Sequence, residues 1–150
     1  MQCQSLHLPF ANSRFDLVLN RHEELDPAEV ARVLRPGGVF FTEQVWRHWK
    51  ELPPFFERAN DFGDHFHTYQ DGLATAGMRV IDTREHEVAA AYDNLGDFVF
   101  MLCITPWTIP EFEPLGRDLK ALLALERELT TADGLVLSDG SYVLEAVKPA

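Results

Sequence analysis

Arg35-Pro36-Gly37-Gly38, followed at once by Val39-Phe40-Phe41-Thr42-Glu43-Gln44-Val45, is the stretch that decides the fold. Upstream, Asp26-Pro27 opens a helix, with Asp as N-cap and Pro at the first helical position. Val30, Val33 and Leu34 recur at helical spacing and would face a sheet. Pro36 cannot continue that helix, and the two glycines supply the positive φ for a tight return into a strand over 39–45. Before the helix, Phe15-Asp16-Leu17-Val18-Leu19-Asn20 is a short, largely apolar run of the kind found in buried parallel strands. Strand, helix and strand make a right-handed crossover unit. Ligands of such folds sit beyond the carboxyl ends of the strands, here Asn20-Arg21-His22-Glu23 and Glu43-Gln44-Val45-Trp46.

The rest of the chain alternates in the same way. Residues 46–67 are aromatic and polar by turns, interrupted by Pro53-Pro54, and leave open a short helix at 55–58 or a mobile segment. Thr68 reads as the N-cap of a helix over 69–76 ended by Gly77, and 78–88 as a strand. A helix is expected over 94–104, then an irregular loop set by Pro106 and Pro110. Residues 114–130 read as an amphipathic helix whose apolar set is Leu115, Leu119, Leu122, Leu123 and Leu125. Asp139-Gly140 signals a turn, and 141–147 a closing strand.

These segments resemble the second half of class I S-adenosylmethionine-dependent methyltransferases, of the type 11-like kind. The carriers are Leu8-Pro9-Phe10 with the strand running into Asn20-Arg21-His22-Glu23, the Arg35-Pro36-Gly37-Gly38 turn, and the terminal Tyr142-Val143-Leu144-Glu145-Ala146-Val147-Lys148-Pro149. The resemblance implies an α/β fold, the C-terminal half of a Rossmann-like domain. About four strands are expected in a mixed sheet flanked by helices, the last strand antiparallel. It implies one truncated domain over 1–150, descended from a small-molecule methyltransferase. The cofactor by resemblance is S-adenosylmethionine. The family's glycine-rich loop falls on strands that precede these segments, and Gly37-Gly38 ends a helix instead of opening one. The expectation is therefore weak cofactor binding or none by this chain alone, with activity restored where the missing half is supplied. A non-catalytic ligand- or partner-binding module is the alternative.

By the same resemblance, Gln4 and Ser5 stand at the adenine positions, and Asn20 and Arg21 at the methionine end of the cofactor. His22 could act as general base with Glu23 or Asp26 orienting it, or could simply fix the loop at a strand end. Trp46, Trp49, Phe55, Trp107 and Phe112 could wall an apolar acceptor pocket, or could be core. Asp61, Asp64, His65 and His67, the two histidines on one face of a strand, could suit a divalent metal, but without a firm signature the segment reads as solvated loop and no metal is expected.

The composition sets limits. A formal charge of −11 argues against a general nucleic-acid surface and for a small-molecule partner. Apolar runs such as 98–104 fall short of the roughly 20 residues of a membrane helix. Cys3 and Cys103 are sparse and fit reduced thiols, and the N-terminus shows no secretory pattern, so a cytoplasmic location is expected. The strand over 15–20 is left with an uncovered side, for which a two-fold homodimer is the expected cover.

Overall fold

The computed structural model describes residues 6–60 and 65–150. In chain order its elements are β1 (Phe15–Arg21), α1 (Pro27–Val33), β2 (Leu34–Val45), α2 (His65–Thr75), β3 (Arg79–Tyr92), α3 (Leu95–Ile104), α4 (Leu119–Leu129), β4 (Thr130–Thr131) and β5 (Gly134–Val147). The sheet has the order β1-β2-β5-β3, with the two-residue β4 paired to β5. β1 and β2 are parallel, and β5 runs antiparallel to β2. This is the expected α/β mixed sheet with its last strand antiparallel, now of five strands.

Helix α1 forms as its sequence dictates. The Asp26 carboxylate accepts from the Ala28 amide at 2.8 Å, and Pro27 occupies the first turn. Its other end is closed by a residue over a hundred positions away. Lys148 donates from Nζ to the carbonyls of Ala31 and Leu34, at 2.7 and 2.8 Å. An ammonium among the last carbonyls of a helix satisfies orphan acceptors and opposes the helix dipole.

The turn after α1 works differently from the expectation. Pairing with β1 begins at Leu34 and resumes at Val39, so Arg35-Pro36-Gly37-Gly38 is an irregular opening of β2, its glycines bonded instead to the backbone of Lys148. Only Gly37 has a positive φ, +79°. Gly38 is required for space: a Cβ there would lie 2.9 Å from the Arg35 carbonyl oxygen and 3.0 Å from Leu34 Cδ2.

Two compact units emerge, each with its own core. Of the described residues, 6–46, 65–86 and 141–150 form the first, and 47–60 with 87–140 the second. In the first, Phe40, Leu73, Tyr142, Leu144 and Ala146 are fully buried, and Trp46 and Phe66 pack among them. Alternation along the strands assigns the faces. Phe40, Thr42 and Gln44 are buried while Phe41 is exposed, and their β5 partners Ala146, Leu144 and Tyr142 are buried in register. The opposite sheet face carries Leu17, Leu19 and Phe41, exposed by 52%, 68% and 37%.

In the second unit Trp49, Phe98, Leu102, Leu122, Leu125 and Leu137 are buried together. Arg58 holds the buried Asp118 through two bonds of 3.0 Å, and Asp118 also accepts from the Glu113 amide at 2.9 Å. That anchor replaces the expected first turns of a long helix. Residues 115–118 are turns, α4 starts at Leu119, and the face it buries is Leu122 and Leu125. Leu115, Leu119 and Leu123, expected in the apolar set, are exposed.

Other boundaries also moved. The 55–58 segment is turn, α2 begins at His65 instead of after Thr68, and β5 passes straight through Asp139-Gly140. Among the described residues, no helix is long and apolar enough to cross a membrane.

Candidate functional site

The parallel strands β1 and β2 end side by side, Asn20 opposite Thr42 and Arg21 opposite Glu43. Two polar groups of residues gather there, one on each face of the sheet. On the buried face, Oδ1 of Asn20 accepts from Thr42 Oγ1 at 3.0 Å and from Gln44 Nε2 at 2.5 Å. Gln44 also donates to the Glu23 carbonyl at 2.8 Å, which ties the loop after β1 to β2. Thr42 and Gln44 are buried, so a network that leaves few polar atoms unpaired is what the fold requires. With both donors on Oδ1, the Asn20 amide is fixed in rotation and its NH2 is turned away from them.

On the other face Glu43 is the hub. Arg21 Nε donates to its carboxylate at 2.9 Å, and His22 Nε2 lies 3.9 Å from it. The His22 backbone amide donates to the Glu43 carbonyl at 2.9 Å, and its φ of +53° is left-handed. That conformation is costly for a residue with a Cβ, and such outliers concentrate at functional loops. The carboxylate facing His22 is thus Glu43, and not Glu23 or Asp26, whose side chain caps α1. Leu19, Asn20, Arg21, Phe41 and Glu43 line an open hollow of about 260 Å³ at this edge.

A nucleotide cradle needs free amides at a helix N-terminus. The α1 N-terminus beside this edge offers little: Pro27 has no N–H, and Asp26 and Glu29 place acid in its cap and first turn. The residues present therefore do not fit an anionic or glycine-loop cradle. The acidic edge does fit a cationic group.

The other sequence candidates are dispersed. Gln4, Ser5, Asp61 and Asp64 lie outside the described residues. The segment holding His65 and His67 is helix α2 and not the strand that the shared-face reading required. Among the described residues no three His, Cys, Asp or Glu side chains are placed to hold a metal ion. Trp46 is buried in the first core with its ring 6.3 Å from Phe66. Trp49 is buried in the second, edge-on to Phe98 at 5.2 Å, its indole N–H donating to Tyr92 Oη at 3.1 Å. Phe55 and Phe112 pack against that second core, and Trp107 is 59% exposed. Sequence reasoning placed Glu43 and Gln44 at a ligand-facing strand end but gave neither a role. The signal was present in the interruption of an apolar strand by Thr42-Glu43-Gln44.

No family model and no curated protein matches this chain. Solved structures do. A methyltransferase candidate from Bacillus halodurans C-125 superposes with a TM-score of 0.64 at 15% identity, over 99% of this chain and 76% of that one. The YcgJ protein from Bacillus subtilis gives 0.61 at 16% identity, over 100% and 70%. The [4+2]-cyclase SpnF gives 0.53 at 16% identity, over 99% of this chain and 56% of its own. The fold is that of class I methyltransferases, and the chain spans 56% to 76% of the length of these three structures.

Proposed function

We propose that this chain forms the methyl-acceptor side of an S-adenosylmethionine-dependent methyltransferase and does not hold the cofactor without further polypeptide. The observation that supports this reading is the pair of polar groups at the carboxyl ends of β1 and β2, where Arg21, His22 and Glu43 converge on one face of the sheet and a fixed Asn20 amide lies on the other. When bound, the cofactor supplies an electrophilic methyl group on a sulfonium cation.

Each residue then has a definite task. The acidic edge favours a positive centre over an anion. Asn20 presents an oriented NH2 to an oxygen of cofactor or acceptor. The neutral His22 imidazole takes the proton that a hydroxyl or amine acceptor releases, and Glu43 faces the imidazolium so formed. Arg21 holds Glu43 in place. The acceptor is a small molecule, in keeping with a chain of charge −11.

Fold alone does not dictate this chemistry, since a cyclase shares it. Calorimetric titration of the 150-residue chain with S-adenosylmethionine tests the cofactor half of the proposal. The expected result is no saturable heat in the micromolar range; a micromolar dissociation constant would contradict it.

A further inference from the structure

We propose that His48 and Asp139 form a proton-accepting site of the second unit, which activates water or a small hydroxyl compound independently of the cofactor. Nδ1 of His48 lies 2.9 Å from Oδ1 of Asp139. A carboxylate only accepts, so in the neutral ring Nδ1 carries the proton and Nε2 keeps a lone pair. That Nε2 has no partner among the described residues. A carboxylate that fixes the tautomer and faces the imidazolium once it forms is the pairing that makes histidine a directed base. The His48 side chain is 21% exposed and that of Asp139 50%, so the pair is partly enclosed yet open to a small molecule.

The backbone is shaped around this ring. Arg47 and Trp49, the neighbours of His48, have φ of +52° and +48°, both left-handed. Residues with a Cβ rarely adopt that region, and it persists where the surroundings dictate it. Here the next residue along β5 from Asp139 does so. The Trp49 amide donates to the Ser138 carbonyl at 2.9 Å and the Lys50 amide to Ser138 Oγ at 3.1 Å. The Glu51 carboxylate accepts from the Ser138 amide at 3.0 Å. These bonds hold the loop without the imidazole, so the contact with Asp139 is free to orient the ring. The ring lies over Trp49, with centroids 4.1 Å apart, and the Trp49 indole N–H is held by Tyr92 Oη at 3.1 Å. Because that oxygen accepts, the Tyr92 proton is left to donate. Burial pushes the Tyr92 hydroxyl up from its ordinary value, the Trp49 bond opposes this, and the charge of Asp139 adds to it. An oriented base, its orienting carboxylate and a protonated O–H donor are thus gathered in one unit, and these are the parts of acid–base chemistry.

Hydrolysis of p-nitrophenyl acetate, a small activated ester, by the full chain without cofactor tests this. In the expected step a water proton moves to Nε2 of His48 while the water oxygen bonds to the acyl carbon. The bond to the aryl oxygen then breaks, p-nitrophenolate leaves with the electron pair, and the imidazolium returns its proton to solvent. The absorbance of p-nitrophenolate should rise faster with the wild type than in buffer. His48→Gln should lose that excess, and Asp139→Asn should lower it about tenfold or more. His86→Gln, at an exposed histidine of β3, should keep it. Far-UV circular dichroism follows the folding of each variant. If His48→Gln fails to fold, Asp139→Asn, altered at a half-exposed side chain, decides. A wild type no faster than buffer, a folded His48→Gln or Asp139→Asn as fast as the wild type, or an equal loss in His86→Gln would overturn the proposal.

Discussion

Gln44 donates to Oδ1 of Asn20 at 2.5 Å, and this bond joins the last inward-facing residue of β1 to β2. The same amide reaches the Glu23 carbonyl, so one side chain fixes both the strand end and the loop that follows. Gln44→Met keeps the volume and removes the donors. It should cost about 1–2 kcal/mol in chemical denaturation. It should also broaden or shift the Asn20 side-chain NH2 signals, whose rotation is no longer fixed.

His22 is a second test of the same loop. Its φ of +53° disfavours any side chain, while its amide bond to Glu43 survives substitution. His22→Gly should be more stable than His22→Ala by about 1 kcal/mol in thermal or chemical unfolding, although both lose the imidazole. Equal stabilities would show that the loop stores no strain.

The adjacent glycines should separate cleanly. Gly37→Ala meets open space but keeps a φ of +79°, and should cost about 1 kcal/mol. Gly38→Ala drives a Cβ against the Arg35 carbonyl and Leu34, and should cost about 1–3 kcal/mol. Urea midpoints of the two variants give the comparison.

Glu29 predicts an acid-sensitive step. Hydrogen bonds from Arg32 and from the Leu8 amide hold its carboxyl at about 2, below the ordinary 4.5. Because the folded value is the lower one, its stabilisation is complete above about 4.5 and is lost as pH falls from there through about 2. Glu29→Gln should flatten the stability profile in that window, read as unfolding midpoints against pH.

On α4, Leu122→Ala and Leu125→Ala empty a packed core and should each cost about 2–5 kcal/mol. Leu123→Ala, at a residue 52% exposed, should change stability by less than about 0.5 kcal/mol.

What the sequence made legible follows from where local chemistry governs. Asp26-Pro27 could start only one kind of element, and the apolar run through Leu17 and Leu19 only a strand. The mixed sheet and its antiparallel last strand came from resemblance, and the strand order was not foreseen. The start of α4 was misread because Asp118 looks like any polar residue of an amphipathic helix. Its bond to Arg58, sixty positions away, is a tertiary fact. Asp139-Gly140 failed as a turn because β5 continues through it from Gly134 to Val147. At the site, Asn20, Arg21 and His22 were legible as a strand end. Glu43 and Gln44 were legible as a strand end too, but not their partners, because the parallel register that brings them to Arg21 and Asn20 is not a local property. The aromatic residues illustrate the reverse: their number suggested a pocket wall, and Trp46 and Trp49 proved to be interior to two separate cores.

The central claim is that the functional edge lies at the carboxyl ends of β1 and β2. Backbone amide chemical shifts of the 150-residue chain, titrated with millimolar S-adenosylmethionine, test it most directly. The account predicts weak, non-saturating shifts confined to residues 19–23 and 41–45, reduced by Glu43→Gln. Shifts centred on any other surface, or saturating shifts at micromolar cofactor, would contradict it.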